Sequence, residues 1–229
     1  MTAGSRDRLR AWVEVDVDAL RRNAARVAEH VSPARLIPMI KADGYGLGAV
    51  RIAHALLPSD PFAFGVATVD EGIELRDSGI ESRIIVFTPV PAMDAPGLVE
   101  HSLDAAVLGR SGLAHLASTG IDLHIEIDSG MGRAGFEADD VAEWGGDLEG
   151  IAASGRLVSV YTHFHSAGTD EAATERQLRR YEAAVDGLRF MPGSRIARHV
   201  ANSAAIRSDR QYHLDLVRPG LYLFGGGRG

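Results

Sequence analysis

Eight short apolar, β-rich runs recur along the chain, and their rhythm limits its possible folds more than any other feature. They are "RLIPMIK", "FAFGVAT", "RIIVFT", "DAAVLG", "DLHIEID", "RLVSVYTHF", "ARHVAN" and "DLVRPGLYLFG". Most are separated by segments with helical spacing, such as "GAVRIAHALLP", "VDEGIELRDSG" and "ERQLRRYEAAVDGLRF". Strands that alternate with helices pair in parallel through right-handed crossovers. Eight such units in 229 residues fit an α/β fold of the (β/α)8, TIM-like barrel type at the lean end of its size range. A doubly wound open sheet competes, and the count of eight favours the barrel.

The two ends depart from a bare barrel. "AWVEVDVDAL" alternates apolar and acidic residues ahead of a first helix, "LRRNAARVAEHV". It reads as a half-buried strand outside the barrel that needs a partner elsewhere. Residues 1–34 are thus the expected lead-in and 35–229 the barrel. At the other end "LYLFGGGRG" completes the eighth strand with no eighth helix after it. Apolar sheet surface should then lie uncovered, and a further segment is expected beyond Gly229.

Composition excludes several classes of function. Lys+Arg 24 against Asp+Glu 31 gives a net charge of −7, whereas nucleic acid calls for clustered positive charge. There is no cysteine, hence no disulfide and no thiolate metal site. The opening "MTAGSRDRLR" is polar with no apolar segment behind it, which is not a secretory signal. No apolar run has the length of a membrane helix. A cytoplasmic protein acting on a small molecule is the expectation.

In such a barrel, function gathers at the C-terminal ends of the strands. Lys41 ends the first, in "PMIKADGYGLGAV". Arg133 follows the fifth, His163 and His165 end the sixth, Asn202 and Ser203 follow the seventh, and Arg218, Gly220 and Tyr222 belong to the eighth. Loops after the last two strands are where barrels often hold a phosphate. A lysine, a phosphate cradle and charged residues round one cavity point to pyridoxal phosphate carried as a Schiff base.

Each signal has a plainer counterpart. Lys41 alone reads as a solvated strand-end lysine, and "DGYGLG" as a turn whose glycines only need a permissive backbone. Arg218 could pair with Asp215. His163 and His165, two apart on a strand, would share a side, but no third ligand is evident and no metal is expected. His54 and His115 read as helix-surface residues. Trp12 and Trp144 read as packing residues, and "EADDVAEW" as a helix start.

Taken in order, "WVEVDVDALRRN", "IKADGYGLGA", "IDSGMGRAGF", "YTHF", "ANSAA" and "VRPGLYLFG" resemble the consecutive motifs of the alanine racemases. These are fold-type III pyridoxal phosphate enzymes that interconvert L- and D-alanine for cell-wall peptide. The resemblance implies that Lys41 carries the cofactor and moves a proton on one face of the substrate. It makes Tyr45, Ser203 and the backbone of Gly220 and Leu221 the phosphate cradle, with Tyr222 nearby. It puts His163 beside the pyridine ring, Arg218 opposite the ring nitrogen, and Arg133 at the phenolic oxygen and the substrate carboxylate. Arginine only donates hydrogen bonds and stays charged, so Arg218 would leave that nitrogen unprotonated and restrain side reactions.

Two departures from the family pattern stand out. Many members have a carbamylated lysine seven residues before the arginine of "MGR". Here that position is Glu126, read as a built-in carboxylate that orients Arg133. The family's proton-moving group for the opposite face is a tyrosine of a C-terminal β-domain, contributed across a homodimer, and that domain is absent from this sequence. The chain is therefore expected to bind cofactor better than it racemises. Two alternatives are a non-catalytic pyridoxal phosphate carrier, which suits the length, and a decarboxylase of the same fold type, whose motifs match less well.

Overall fold

A computed structural model describes residues 12–226. Its strands are β1 (Arg35–Leu36), β2 (Phe64–Val66), β3 (Ile84–Val86), β4 (Asp104–Val107), β5 (Leu123–Asp128), β6 (Phe136–Glu137), β7 (Leu157–Tyr161), β8 (Ala197–His199) and β9 (Leu216–Val217). All pairings are parallel. The ladder runs β2-β3-β4-β5-β7-β8, with β6 a short addition to β5. Isolated bridges Met39↔Gly65 and Asn202↔Arg218, together with the β1–β9 pair, join its two ends. The ring is thus the expected eight-stranded barrel, with all eight predicted runs in order.

Several strands are shorter than the sequence suggests, for a chemical reason. Pro38 and Pro219 carry no N–H, so the ladder at the seam is interrupted. The bonds Ile37 N–H to Val217 O (2.8 Å) and Met39 N–H to Pro219 O (2.8 Å) carry it on. "DLVRPGLYLFG" is therefore not one strand. After Val217 the chain turns, held by Leu223 N–H to Gly220 O at 2.8 Å and Gly226 N–H to Leu221 O at 2.8 Å. His163 and His165 likewise lie past the end of β7, not on it.

Strand β5 shows how the barrel is filled. Leu123, Ile125 and Ile127 face the helices and join the main core, while the alternate set, His124, Glu126 and Asp128, is also buried. A strand buried on both faces with one polar face points that face into the barrel interior. Asp104 on β4, Ser159 and Tyr161 on β7, His199 on β8 and Arg218 belong to the same interior polar set. The side of the interior built by β1, β2, β3 and β9 is apolar instead, with Ile37, Ala63, Ile85 and Leu216 packed together.

The N-terminal expectation fails. Residues 12–16 form no strand, and Trp12 and Val13 are exposed, so Trp12 is not a packing residue. The alternation loses to a helix start. Asp16 accepts a bond from Ala19 N–H at 2.8 Å and caps the helix Val17–Val31. Its apolar face (Leu20, Ala24, Val27, Val31) joins the core of the barrel. Asn23 donates to Leu223 O at 2.9 Å, and His30 Nε2 bonds Ile206 O at 3.1 Å. This helix lies against the seam of first and last strands, so the apolar surface expected to be bare there is covered.

Candidate active site

A cavity of about 450 Å³ opens at the C-terminal ends of the strands. Lys41, Tyr45, Glu126, Arg133, His163, Ser203, Arg218, Gly220 and Leu221 all line it. Tyr222 does not; it reaches the cluster through its backbone N–H, which donates to Ser203 Oγ at 3.3 Å, while Arg207 lies over its ring. His165 also stays out, exposed and bonded through Nδ1 to the Ser166 hydroxyl. A second hollow of about 560 Å³ lies by Asp186, Arg195, Arg198 and Asp215 at the opposite strand ends. It gathers none of these groups. Asp215 pairs there with Arg198 at 3.8 Å, not with Arg218.

The turn that carries Lys41 is left-handed. Ala42, Asp43, Gly44 and Tyr45 have φ of 52°, 51°, 61° and 58°. This handedness costs about 1–2 kcal/mol for each residue with a Cβ, and such strain persists only where the surroundings fix it. Three features fix it. Gly44 has no room for a Cβ, which would run into Ile52 and the backbone of Ala49. Asp43 Oδ1 accepts from Ala49 N–H at 2.7 Å. Glu71 accepts from Ala42 N–H at 2.7 Å with one oxygen and from Ala67 N–H at 2.7 Å with the other. The turn brings Lys41 and Tyr45, four residues apart, to one cavity.

At the far side, Ser203 Oγ accepts from Gly220 N–H at 2.8 Å. A Cβ on Gly220 would meet the Tyr45 hydroxyl. Tyr45, Ser203 and the Gly220 backbone therefore form one small, donor-lined corner. Burial pushes the Tyr45 phenol above its ordinary value, so it remains a proton donor.

Arg133 sits on a loop pinned at its base. Asp128 Oδ1 accepts from Gly130 N–H (2.8 Å) and Gly132 N–H (3.1 Å). Gly135 lies directly on the β5 backbone, with no space for a side chain. Arg133 Nη2 stands 3.8 Å from Glu126 Oε1. The other Glu126 oxygen accepts from Tyr161 O–H at 2.8 Å. Burial raises the Glu126 carboxyl above its usual value, while Tyr161, Arg218 and Arg133 oppose the shift.

Arg218 is the most enclosed cation of the site, 5% exposed. Its Nη1 donates to His199 Nδ1 (2.6 Å) and His199 O (3.1 Å), and its Nη2 to Thr162 O (2.8 Å) and Val200 O (3.4 Å). Guanidinium has five N–H groups. Nε–H is the donor left without a partner among the described residues. The guanidinium lies over the Tyr161 ring at 5.1 Å, and Tyr161 stacks on His199 at 4.8 Å.

Desolvation, Arg218, Arg133 and Lys41 push the His163 imidazole down to about 3, so it is neutral at pH 7. Unfolded, it would titrate near 6.5. Between pH 6.5 and 3 the unfolded state binds the extra proton, so this group lowers stability as pH falls. His163→Gln should therefore flatten the acid limb of stability against pH by about 1.4 kcal/mol per pH unit. Urea unfolding of both proteins at pH 6, 5 and 4 measures it, and parallel limbs would refute the assignment.

Residues 15–227 match the family described as "Alanine racemase, N-terminal domain". The chain belongs to that family. Among curated relatives, an alanine racemase of a Nostoc species is 33% identical over 94% of this chain and 58% of its own length. One from Desulfosudis oleivorans is 34% identical over 94% of this chain and 59% of its own. Among solved structures, the alanine racemase of a D-cycloserine-producing Streptomyces lavendulae superposes with TM-score 0.87 at 28% identity, over 94% of this chain and 59% of the other. That of Corynebacterium glutamicum gives 0.83 at 30%, over 93% and 63%. The chain thus spans about three fifths of the alanine racemases it matches. No helix among the described residues is long and apolar enough to cross a membrane.

Sequence reasoning missed three residues of the alanine racemase-like cavity and its supports. Tyr161 falls inside "YTHF", where nothing local gives it a role. His199 reads only as part of the strand "ARHVAN". Glu71 reads as an ordinary first-turn acid, although Thr68 three residues before it gives the capping-box sequence pattern; Thr68 Oγ1 accepts from Glu71 N–H at 3.2 Å, while the Glu71 carboxylate reaches past Thr68 to Ala67 N–H.

Proposed function

We propose that this chain is the cofactor-binding barrel of a pyridoxal phosphate-dependent alanine racemase. One observation carries the reading. A lysine, a donor-lined corner and a buried arginine with one N–H to spare line a single cavity at the C-terminal strand ends. These residues fit the cofactor. The corner of the Tyr45 and Ser203 hydroxyls, closed by the Gly220 backbone, suits a phosphate, and Tyr45 comes this close only because Gly220 has no side chain. Arg218 suits a ring nitrogen that accepts a hydrogen bond without taking its proton.

When bound, pyridoxal phosphate draws electron density from the substrate's α-carbon and acidifies its proton. Lys41 holds the cofactor and takes or returns that proton on one face. Arg133 binds the amino acid's carboxylate, and Glu126 holds Arg133 in place. Neutral His163 packs beside the ring without adding a charge. Arg218, always a donor, limits how far charge spreads into the ring. The group for the opposite face, and the homodimer it implies, belong to the part of the relatives' length that this chain does not span.

The reading is tested by incubating the purified chain with pyridoxal phosphate, reducing with borohydride and mapping the modified peptide by mass spectrometry. One adduct, on Lys41, is expected, and Lys41→Ala should carry none. Lys41 is the one lysine of the sequence, so an adduct confined to the N-terminal amine, or none in the folded protein, would overturn it.

A further inference from the structure

A hydrogen-bonded line runs through the barrel interior from Arg218 to the opposite rim. His199 Nε2 lies 2.9 Å from Ser159 Oγ, which lies 2.6 Å from His124 Nδ1. His124 Nε2 lies 3.0 Å from Asp104 Oδ2. Arg83, just before β3, holds that same oxygen and also bonds Asp122 at 2.9 Å. His199, Ser159 and His124 are fully buried.

The two ends determine every proton between them. Arg218 can only donate, so His199 Nδ1 must accept and its proton must be on Nε2. That proton goes to Ser159 Oγ. The single Ser159 hydroxyl proton then goes to His124 Nδ1. His124 must in turn carry its proton on Nε2, where carboxylate Asp104 accepts it. Each imidazole then has one permitted neutral tautomer. The opposite orientation would face the His199 Nδ1–H against an Arg218 N–H. Burial, Arg218 and His124 hold the His199 imidazole well below its usual value, in keeping with a neutral ring.

We infer that Asp104, with His124 and Ser159, is a positioning residue for Arg218: the carboxylate at the closed end of the barrel orders one tautomer along the line and so fixes the acceptor that holds the guanidinium at the cavity. Every member lies on a different strand or directly beside its end, so the barrel's own register builds the line. Only for what Arg218 meets in the cavity does this rest on the cofactor reading above.

Asp104→Asn keeps the shape but adds an NH2 donor and removes the charge. It no longer obliges His124 Nε2 to donate, so Arg218 alone is left to order the line and the reversed order, with His199 Nδ1–H facing the guanidinium, becomes populated. Two measurements on the full chain test the inference. Imidazole 15N shifts of the cofactor-free protein between pH 6 and 8 should give Nε2–H for both His199 and His124. In Asp104→Asn each ring should show a second tautomer. Affinity should then fall about tenfold for pyridoxal phosphate, the worth of one ordinary hydrogen bond, but stay unchanged for its 1-deaza analogue, which has no ring nitrogen. Ser159→Ala, which cuts the line midway, should show the same selectivity if Asp104→Asn does not fold. An Nδ1–H tautomer at His199 in the parent chain would overturn the inference. So would equal losses for both ligands, the mark of a merely structural role, or no loss for either. If the parent chain binds neither ligand, the cofactor reading fails while the 15N shifts still decide the line.

Discussion

Glu71→Ala is expected to weaken capture of pyridoxal phosphate by Lys41 about a hundredfold while the barrel stays folded. Glu71 is outside the cavity, yet its two oxygens each hold an amide, one at the start of the left-handed turn and one at the end of β2. A hydrogen bond to a charged group is worth about 1.5–3 kcal/mol, so losing the bond to Ala42 alone removes about as much as one or two left-handed residues cost. Alanine leaves the turn free to relax to right-handed or extended backbone, and Lys41 and Tyr45 would then no longer share a cavity. Glu71→Gln should lie between, because one amide would face the NH2 of the new side chain. Titrating the cofactor by its absorbance, beside a thermal melt, measures both effects. Unchanged affinity would refute the clamp, and collapse of the melt would make Glu71 a general stabiliser instead.

Arg218→Leu is the second large effect. Four acceptors depend on this side chain: His199 Nδ1 and the carbonyls of His199, Thr162 and Val200. Orphaning buried acceptors costs about 1 kcal/mol or more each, or ~4 kcal/mol together. Replacing a buried ion by an apolar residue can be neutral when its partners are replaced too, but here they stay behind. Chemical unfolding should show the loss, and a change below about 1 kcal/mol would mean that water or a rotated histidine satisfies them. Arg218→Lys keeps a charge but not the planar fork, and should recover only part of the stability.

The parts of the site that were legible in the sequence are those where composition and position coincide. Lys41 beside three glycines, Ser203 after a strand, and Arg218 and Gly220 of "RPG" at the last strand stand out without coordinates, and all line the cavity. What stayed hidden depends on neighbours far along the chain. His199, Ser159, His124 and Asp104 meet because of strand register, which no local pattern carries. Glu71 is similar, since its partner Ala42 is met across the barrel rim. At Trp12–Asp16 the period-2 alternation of valines and acids was present, but Asp16 served better as a helix cap than as a strand residue, and no sheet edge was there to receive it.

The seam of the ring has a consequence for biosynthesis. Arg35 pairs with Leu216, and Leu36 with Val217. The chain as far as Val217 must leave the ribosome before β1 finds β9. Until then the nascent polypeptide has two raw sheet edges, and Ile37 and Ile85 lack the Leu216 side chain that completes their layer. Such distant contacts form late and slowly, and unpaired edges attract other copies. Slow translation or a shortage of chaperone should therefore harm the yield of this barrel more than that of a helical protein of equal size.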